Sequence, residues 1–141
     1  MIKGQIHNIF YGRKWQSVQE MNALFSDLNK NNIQYIINLL PNDPSIKEEK
    51  KYFDVICLPI LDFSIPGPDF EEKIKQISNI KENIFVHCLA GIGRTSLVVA
   101  ELLKLKGKTV EEALEYTQKY IGGPETQEQI DFVRRKGKYV I

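Results

Sequence analysis

Only two cysteines, Cys57 and Cys88, occur in the 141 residues. That scarcity excludes a disulfide framework and the paired CxxC knuckles of structural zinc sites. Reduced thiols in a cytosolic setting are the expectation. Charge of one sign is also lacking: 19 Lys and Arg against 18 Asp and Glu leave +1. No global field recruits nucleic acid or a membrane surface, so any anion selectivity has to come from a local site. No stretch approaches the roughly 20 apolar residues of a membrane span. Met1-Ile2-Lys3-Gly4-Gln5 lacks the apolar run of a signal peptide. There is no internal repeat and no low-complexity linker. A soluble, cytoplasmic monomer is expected. What is present is an ordinary globular balance of 43% hydrophobic and 26% charged residues. A chain of this length fits one domain, 1–141, able to bury a sizeable core without disulfides or metals.

The hydrophobic pattern alternates between strand-like and helix-like segments. Gln5–Phe10 alternates polar and apolar residues and reads as a short strand. Ser17 is a candidate N-cap, with Glu20 completing a capping box. The helix it opens carries Met21, Leu24, Phe25 and Leu28 as a core stripe and ends at Asn31-Asn32. Gln34–Leu40 and Phe53–Ile60 are nearly continuous apolar runs, as buried strands require. Between them lie a turn at Pro41–Pro44 and a helical turn or two at Ser45–Lys51. Leu61–Gly67 reads as a loop, and Pro68 suits the first turn of a helix towards Ile80. Asn83–His87 is a short strand. Helices follow over about Arg94–Lys106, after Thr109, and over Glu125–Lys136. Gly107 and Gly122-Gly123-Pro124 separate them. The pattern implies an α/β fold with a central, mainly parallel sheet of four to five strands and helices on both faces. Ligands of such sheets bind at the carboxyl ends of the strands, which directs attention to two loops, Leu61–Gly67 and Cys88–Arg94.

The second loop reads His87-Cys88-Leu89-Ala90-Gly91-Ile92-Gly93-Arg94-Thr95. It follows a strand and opens a helix. Gly91 and Gly93 permit positive φ, which lets the backbone curl around an anion. The N–H groups of Leu89, Ala90, Gly91, Ile92, Gly93 and Arg94 then converge on a phosphate at a helix N-terminus. Cys88 lies at the base of that cup, where the helix end and a cation favour a thiolate. Arg94 offers a planar fork for two phosphate oxygens. Thr95 can donate its hydroxyl to the sulfur, and His87 orients the cysteine backbone. A glycine-containing turn with an inert buried cysteine is the plain alternative. Five further matched positions arise together by chance on the order of 10⁻⁶ of the time at average residue usage.

His87–Thr95 resembles the signature of the cysteine-dependent protein tyrosine phosphatase superfamily, Cys-x5-Arg followed by Ser or Thr. Its place in the C-terminal half is similar to the small atypical and archaeal-type dual-specificity branch. Asp62-Phe63-Ser64-Ile65-Pro66-Gly67-Pro68 looks like the acid loop of those enzymes, and Gly123–Gln129 like their late Pro-Glu-Thr-x-Glu-Gln segment. The resemblance covers Ile33 to Val133. It implies Asp62 as the general acid. Asp69 is a competitor, but dipole compensation at a helix start explains it. It also implies that Glu125 and Gln129 reach the pocket rim and help to place a water; both equally suit an exposed helix N-terminus.

The remaining candidates carry less. Cys57 reads as a buried core thiol, with a regulatory disulfide as the other option. His7 is structural. Arg13-Lys14 and Arg134-Arg135-Lys136 read as solvated basic faces. Tyr11 and Trp15 either line the cleft or pin the N-terminal segment to the core.

The implied activity is hydrolysis of phosphotyrosine, and of phosphoserine or phosphothreonine, in phosphorylated proteins through a phosphocysteine. No metal or other cofactor is required, and the loop should take phosphate, vanadate or sulfate. Leu89, Ala90 and Ile92 leave the loop without the lysines that resembling lipid and inositol phosphatases carry. A phosphoinositide or RNA 5′-phosphatase is the alternative within the superfamily. A phosphopeptide-binding pseudophosphatase is the alternative outside catalysis, although Cys88, Arg94 and Asp62 are all retained. A rhodanese-type sulfur carrier would lack the arginine clamp.

Overall fold

The computed structural model describes residues 1–135. The chain runs β1 (Ile2–Ile6), β2 (Ile9–Arg13), α1 (Val18–Lys30), β3 (Ile33–Asn38), α2 (Ile46–Lys50), β4 (Asp54–Cys57), α3 (Phe70–Ser78), β5 (Asn83–Cys88), α4 (Gly93–Leu105), α5 (Val110–Tyr120) and α6 (Gln127–Arg134). The five strands form one sheet in the order β1-β2-β5-β3-β4. β1 and β2 pair antiparallel, and the other three pairings are parallel. The α/β class and the mainly parallel sheet therefore hold.

Alternation along the strands divides the core in two. Phe10, Phe85, Ile36 and Val55 lie in one register row across β2, β5, β3 and β4. They pack with Leu24, Phe25 and Leu28 of α1. The next row, Tyr11, Val86, Ile37 and Ile56, turns to the opposite face. There it meets Ile74, Leu97, Val98 and Leu114 from α3, α4 and α5. Helices thus cover both faces.

Several boundaries differ from the sequence reading; Pro68, for one, lies ahead of α3, whose N-cap is Asp69. Gln5–Phe10 is not one strand: His7 adopts φ 53° and turns the chain between β1 and β2. The apolar run Phe53–Ile60 is regular strand only over Asp54–Cys57, although the N–H groups of Leu58 and Ile60 still reach the carbonyls of Asn38 and Leu39 at 2.9 and 3.0 Å. The last helix starts at Gln127, after Thr126 accepts the N–H of Gln129 in a complete capping box. The box at α5, Thr109 with Glu112, is complete. That at α1 is not: Ser17 Oγ accepts the Glu20 N–H at 3.1 Å, but the Glu20 carboxylate turns to the Gln16 N–H and to Arg13. Those two donors hold its pKa down at about 2.

The basic clusters are ion-paired: Arg134 is exposed, as a solvated face requires, whereas Arg13, Lys14 and Arg135 are partly buried. Arg13 grips Glu20 with two nitrogens, Lys14 binds Asp43 at 2.7 Å, Arg134 pairs with Glu111, and Arg135 with Glu101 and Glu71. Lys136 lies outside the described residues. Tyr11 is buried and shares a 2.8 Å hydrogen bond with Tyr116, so it pins β2 to α5. Trp15 packs against the α1 side of the core. No described helix is long and apolar enough to cross a membrane.

Candidate active site

β5 ends at Cys88, and α4 begins five residues later at Gly93. The two glycines of the short connection differ. Gly91 adopts φ +75°, and a Cβ there would lie 2.5 Å from the Gly12 carbonyl oxygen. Gly93 has no such φ, contrary to the expectation for both glycines. A Cβ at Gly93 would lie 2.4 Å from Glu125 Oε1. No side chain caps α4, and no acidic residue occupies its first turn. Its leading N–H groups therefore present an uncompensated positive end.

Cys88 is 2% exposed. Its sulfur accepts a hydrogen bond from Thr95 Oγ1 at 3.0 Å, one turn into α4. Arg94 is buried as well and donates from one terminal nitrogen to the Ile60 carbonyl at 3.0 Å. Its Nε lies 3.6 Å from Asp62 Oδ1 and makes no hydrogen bond among the described residues. Cys88, Leu89, Ala90, Gly93, Arg94, Asp62, Phe63 and Glu125 line one small cavity of about 100 Å³. That is well below the roughly 300–1,000 Å³ of pockets that enclose a drug-sized ligand. Gly91 packs on Gly12 instead, and neither Gly91 nor Ile92 lines the cavity.

A buried polar network lies behind the loop, on the side opposite α4, and sequence reasoning missed it. His87 pairs in register with Asn38, and both are fully buried. His87 Nε2 meets Glu49 Oε2 at 2.8 Å, and its Nδ1 lies 3.4 Å from the Cys88 carbonyl. The other oxygen of Glu49 accepts from Asn38 Nδ2 at 2.9 Å, and that same nitrogen reaches Asp43. Asp43 in turn accepts from Lys14 Nζ and from Ser45. Burial opposes the Asp43 charge, but these donors outweigh it and hold its pKa at about 2. The Lys14 backbone N–H closes the circuit on the Cys88 and Leu89 carbonyls at 3.0 and 3.2 Å. The one legible signal was Asn38, a polar residue inside the apolar run Gln34–Leu40. Glu49 looked like any surface acid on a short helix.

The loop that carries Asp62 is held differently. Asp62 Oδ1 accepts the Phe63 N–H at 3.0 Å, and Ser64 N–H closes a turn on Leu61. Gln129 Nε2 donates to the Ser64 carbonyl at 3.2 Å. Gln129 is neither exposed nor on the rim: it is buried, and its amide oxygen receives the N–H groups of Glu125 and Thr126. It anchors the loop to α6. Glu125 does line the cavity, and it precedes the helix instead of starting it. Asp69 precedes α3 and pairs with Lys73.

Cys57 is half-buried and free. It pairs with Asn38, which pairs with His87. Two strand spacings, roughly 9.5 Å, separate Cys57 from His87. The Cα reach of a disulfide ends near 7 Å, so this sheet does not bring Cys57 to Cys88.

The family model of the dual specificity phosphatase catalytic domain matches residues 16–135. The chain belongs to that family. Among curated relatives, this dual-specificity phosphatase domain is 29% identical over 92 residues to Dual specificity protein phosphatase Mpk3 of Drosophila melanogaster. The match covers 61% of the chain and 22% of the relative. It is 33% identical over 93 residues to Tyrosine-protein phosphatase cdc-14 of Caenorhabditis elegans, covering 64% and 13%. The chain thus spans under a quarter of the length of these relatives. Among solved structures, Tk-PTP in the active form superposes with a TM-score of 0.74 at 25% identity, covering 94% of this chain and 93% of that one. The catalytic core of the PP-IP phosphatase SIW14 from S. cerevisiae shares the fold at a TM-score of 0.70 and 15% identity, covering 95% and 82%.

Proposed function

We propose that this phosphatase hydrolyses phosphotyrosine, and also phosphoserine and phosphothreonine, in proteins through a phosphocysteine at Cys88. The observation that carries the reading is the sulfur of Cys88, hydrogen-bonded by Thr95 at 3.0 Å, in one cavity with Arg94 and Asp62. The Cys88 thiolate attacks phosphorus while the bond from phosphorus to the ester oxygen breaks. Asp62 delivers a proton to the departing oxygen. Arg94 and the N–H groups of residues 89–94 take up the charge on the three non-bridging oxygens. The Nε of Arg94, which makes no hydrogen bond among the described residues, is a donor available to one of them.

Water then attacks the phosphocysteine and gives its proton to Asp62. The phosphorus–sulfur bond breaks, inorganic phosphate leaves, and the Thr95 hydroxyl stabilises the returning thiolate. Glu125, on the cavity wall, helps to place that water. Guanidinium and amides supply the charge stabilisation that a metal supplies in other phosphatases. Wild-type protein should hydrolyse para-nitrophenyl phosphate in EDTA and be inhibited by vanadate. Cys88→Ser should lose at least about 10³-fold in kcat. Turnover that survives in Cys88→Ser, or that requires added metal, overturns the reading.

A further inference from the structure

Seven large hydrophobic side chains are exposed among the described residues, and four of them belong to the two loops of the candidate site. Leu61, Phe63 and Ile65 come from the acid loop, and Leu89 from the phosphate loop. Phe63 and Leu89 line the cavity itself. Phe63 also adopts φ 57°, a left-handed conformation that bulky residues seldom take. A concentration of apolar surface around a cavity marks a contact site.

The charges at the same rim are carboxylates. Asp62 and Glu125 line the cavity, and Arg94 is the one cation that does so. Lys3 also reaches the loop, but its ammonium is engaged by the Ala90 carbonyl at 2.5 Å. Lys14 and Lys73 are paired with Asp43 and Asp69. The rim thus offers one deep anion site, apolar walls and like-charge repulsion towards a second anion.

We infer that Leu61, Phe63, Ile65 and Leu89 form an apolar collar that selects phosphotyrosine segments flanked by apolar residues, and that Glu125 rejects acidic flanks and polyphosphorylated ligands. The inference rests on the phosphate site at Cys88 proposed above. The phosphate enters the cup, the aryl ring passes Phe63 and Leu89, and the neighbouring side chains meet Leu61 and Ile65. Phosphoserine is too short to carry its flanking residues clear of the cup to the same contacts.

The test is binding of labelled phosphotyrosine peptides to the Cys88→Ser protein by fluorescence anisotropy, so that turnover is not needed. Peptides with Leu or Val on both sides of the phosphotyrosine should bind about tenfold more tightly than the same peptides with Glu or Asp there. Inositol hexakisphosphate should not compete at equal concentration. Leu61→Ser with Ile65→Ser should abolish the preference. Phe63→Asn, which suits the left-handed backbone, should weaken both peptide sets alike, because the aryl ring that Phe63 meets is common to them. Equal affinity for the two sets, a preference for acidic flanks, or effective competition by the polyphosphate overturns the inference. Para-nitrophenyl phosphate turnover by wild type is measured in parallel. Turnover without peptide preference removes the collar and leaves the enzyme; preference without turnover does the reverse.

Discussion

Cys88 and Asp62 face the same cavity from opposite structural regimes. Cys88 is 2% exposed, whereas the Asp62 side chain is 53% exposed. The floor is the end of the central strand β5, paired on both sides and backed by the His87–Glu49–Asn38–Asp43–Lys14 network. The wall is a loop tied down at three points: Ile60 and Asp62 to Arg94, and Ser64 to Gln129. On the proposed mechanism the nucleophile and anion cup need fixed distances, which a buried, fully bonded element supplies. A proton donor must reach a leaving oxygen whose position varies with the substrate, and an exposed loop permits that. Arg94 belongs to both regions, since it lines the cup and carries two of the three tethers.

That dual role places the largest effect there. Arg94→Lys keeps the charge but loses the fork and the Ile60 tether, so kcat on para-nitrophenyl phosphate should fall by about 10²–10³. A loss below about tenfold would detach the floor from Arg94. Asp62→Asn tests the wall alone. Turnover of alkyl phosphates and phosphoserine peptides should fall about 10²-fold, with a much smaller loss on para-nitrophenyl phosphate, whose leaving group needs no proton. Equal losses on both substrates would remove Asp62 from acid catalysis. Its melting curve should stay close to that of wild type because the side chain is half in solvent.

Glu49→Gln tests the floor from behind. Two buried hydrogen bonds to a carboxylate are weakened, so urea unfolding should show a loss of about 1–3 kcal/mol, together with reduced kcat. Unchanged stability would mean that the network does not support the loop. The smallest effect concerns pH. Asp43 titrates at about 2 in the folded protein, below its ordinary 3.8. Between those values the unfolded chain binds more protons, so the Asp43 contribution is complete above pH 3.8 and is lost as pH falls towards 2. Asp43→Asn should flatten that part of the acid-unfolding curve and leave the region above pH 5 parallel to wild type. An identical acid limb would remove Asp43 from the account.

Most elements were legible because each is a local decision. Leu24, Phe25 and Leu28 recur at helical spacing, Thr109 with Glu112 caps α5, and Ile84–Val86 is an apolar run between turns. The errors fell where a partner from elsewhere decided. Glu20 abandons the α1 cap for Arg13, and Gln129 turns inward to Ser64. The run to Ile60 leaves regular strand geometry after Cys57.

The amino-acid sequence by itself determined the α/β pattern and the strand–loop–helix connection at Cys88–Arg94, because strand, glycine turn and helix start are contiguous in the chain and follow from local sterics. Only the tertiary structure brought Glu49 under His87, Glu125 over Gly93 and Gln129 under the acid loop. Those contacts join residues 32 to 65 positions apart, and no local spacing records which distant partner a buried donor or acceptor will find.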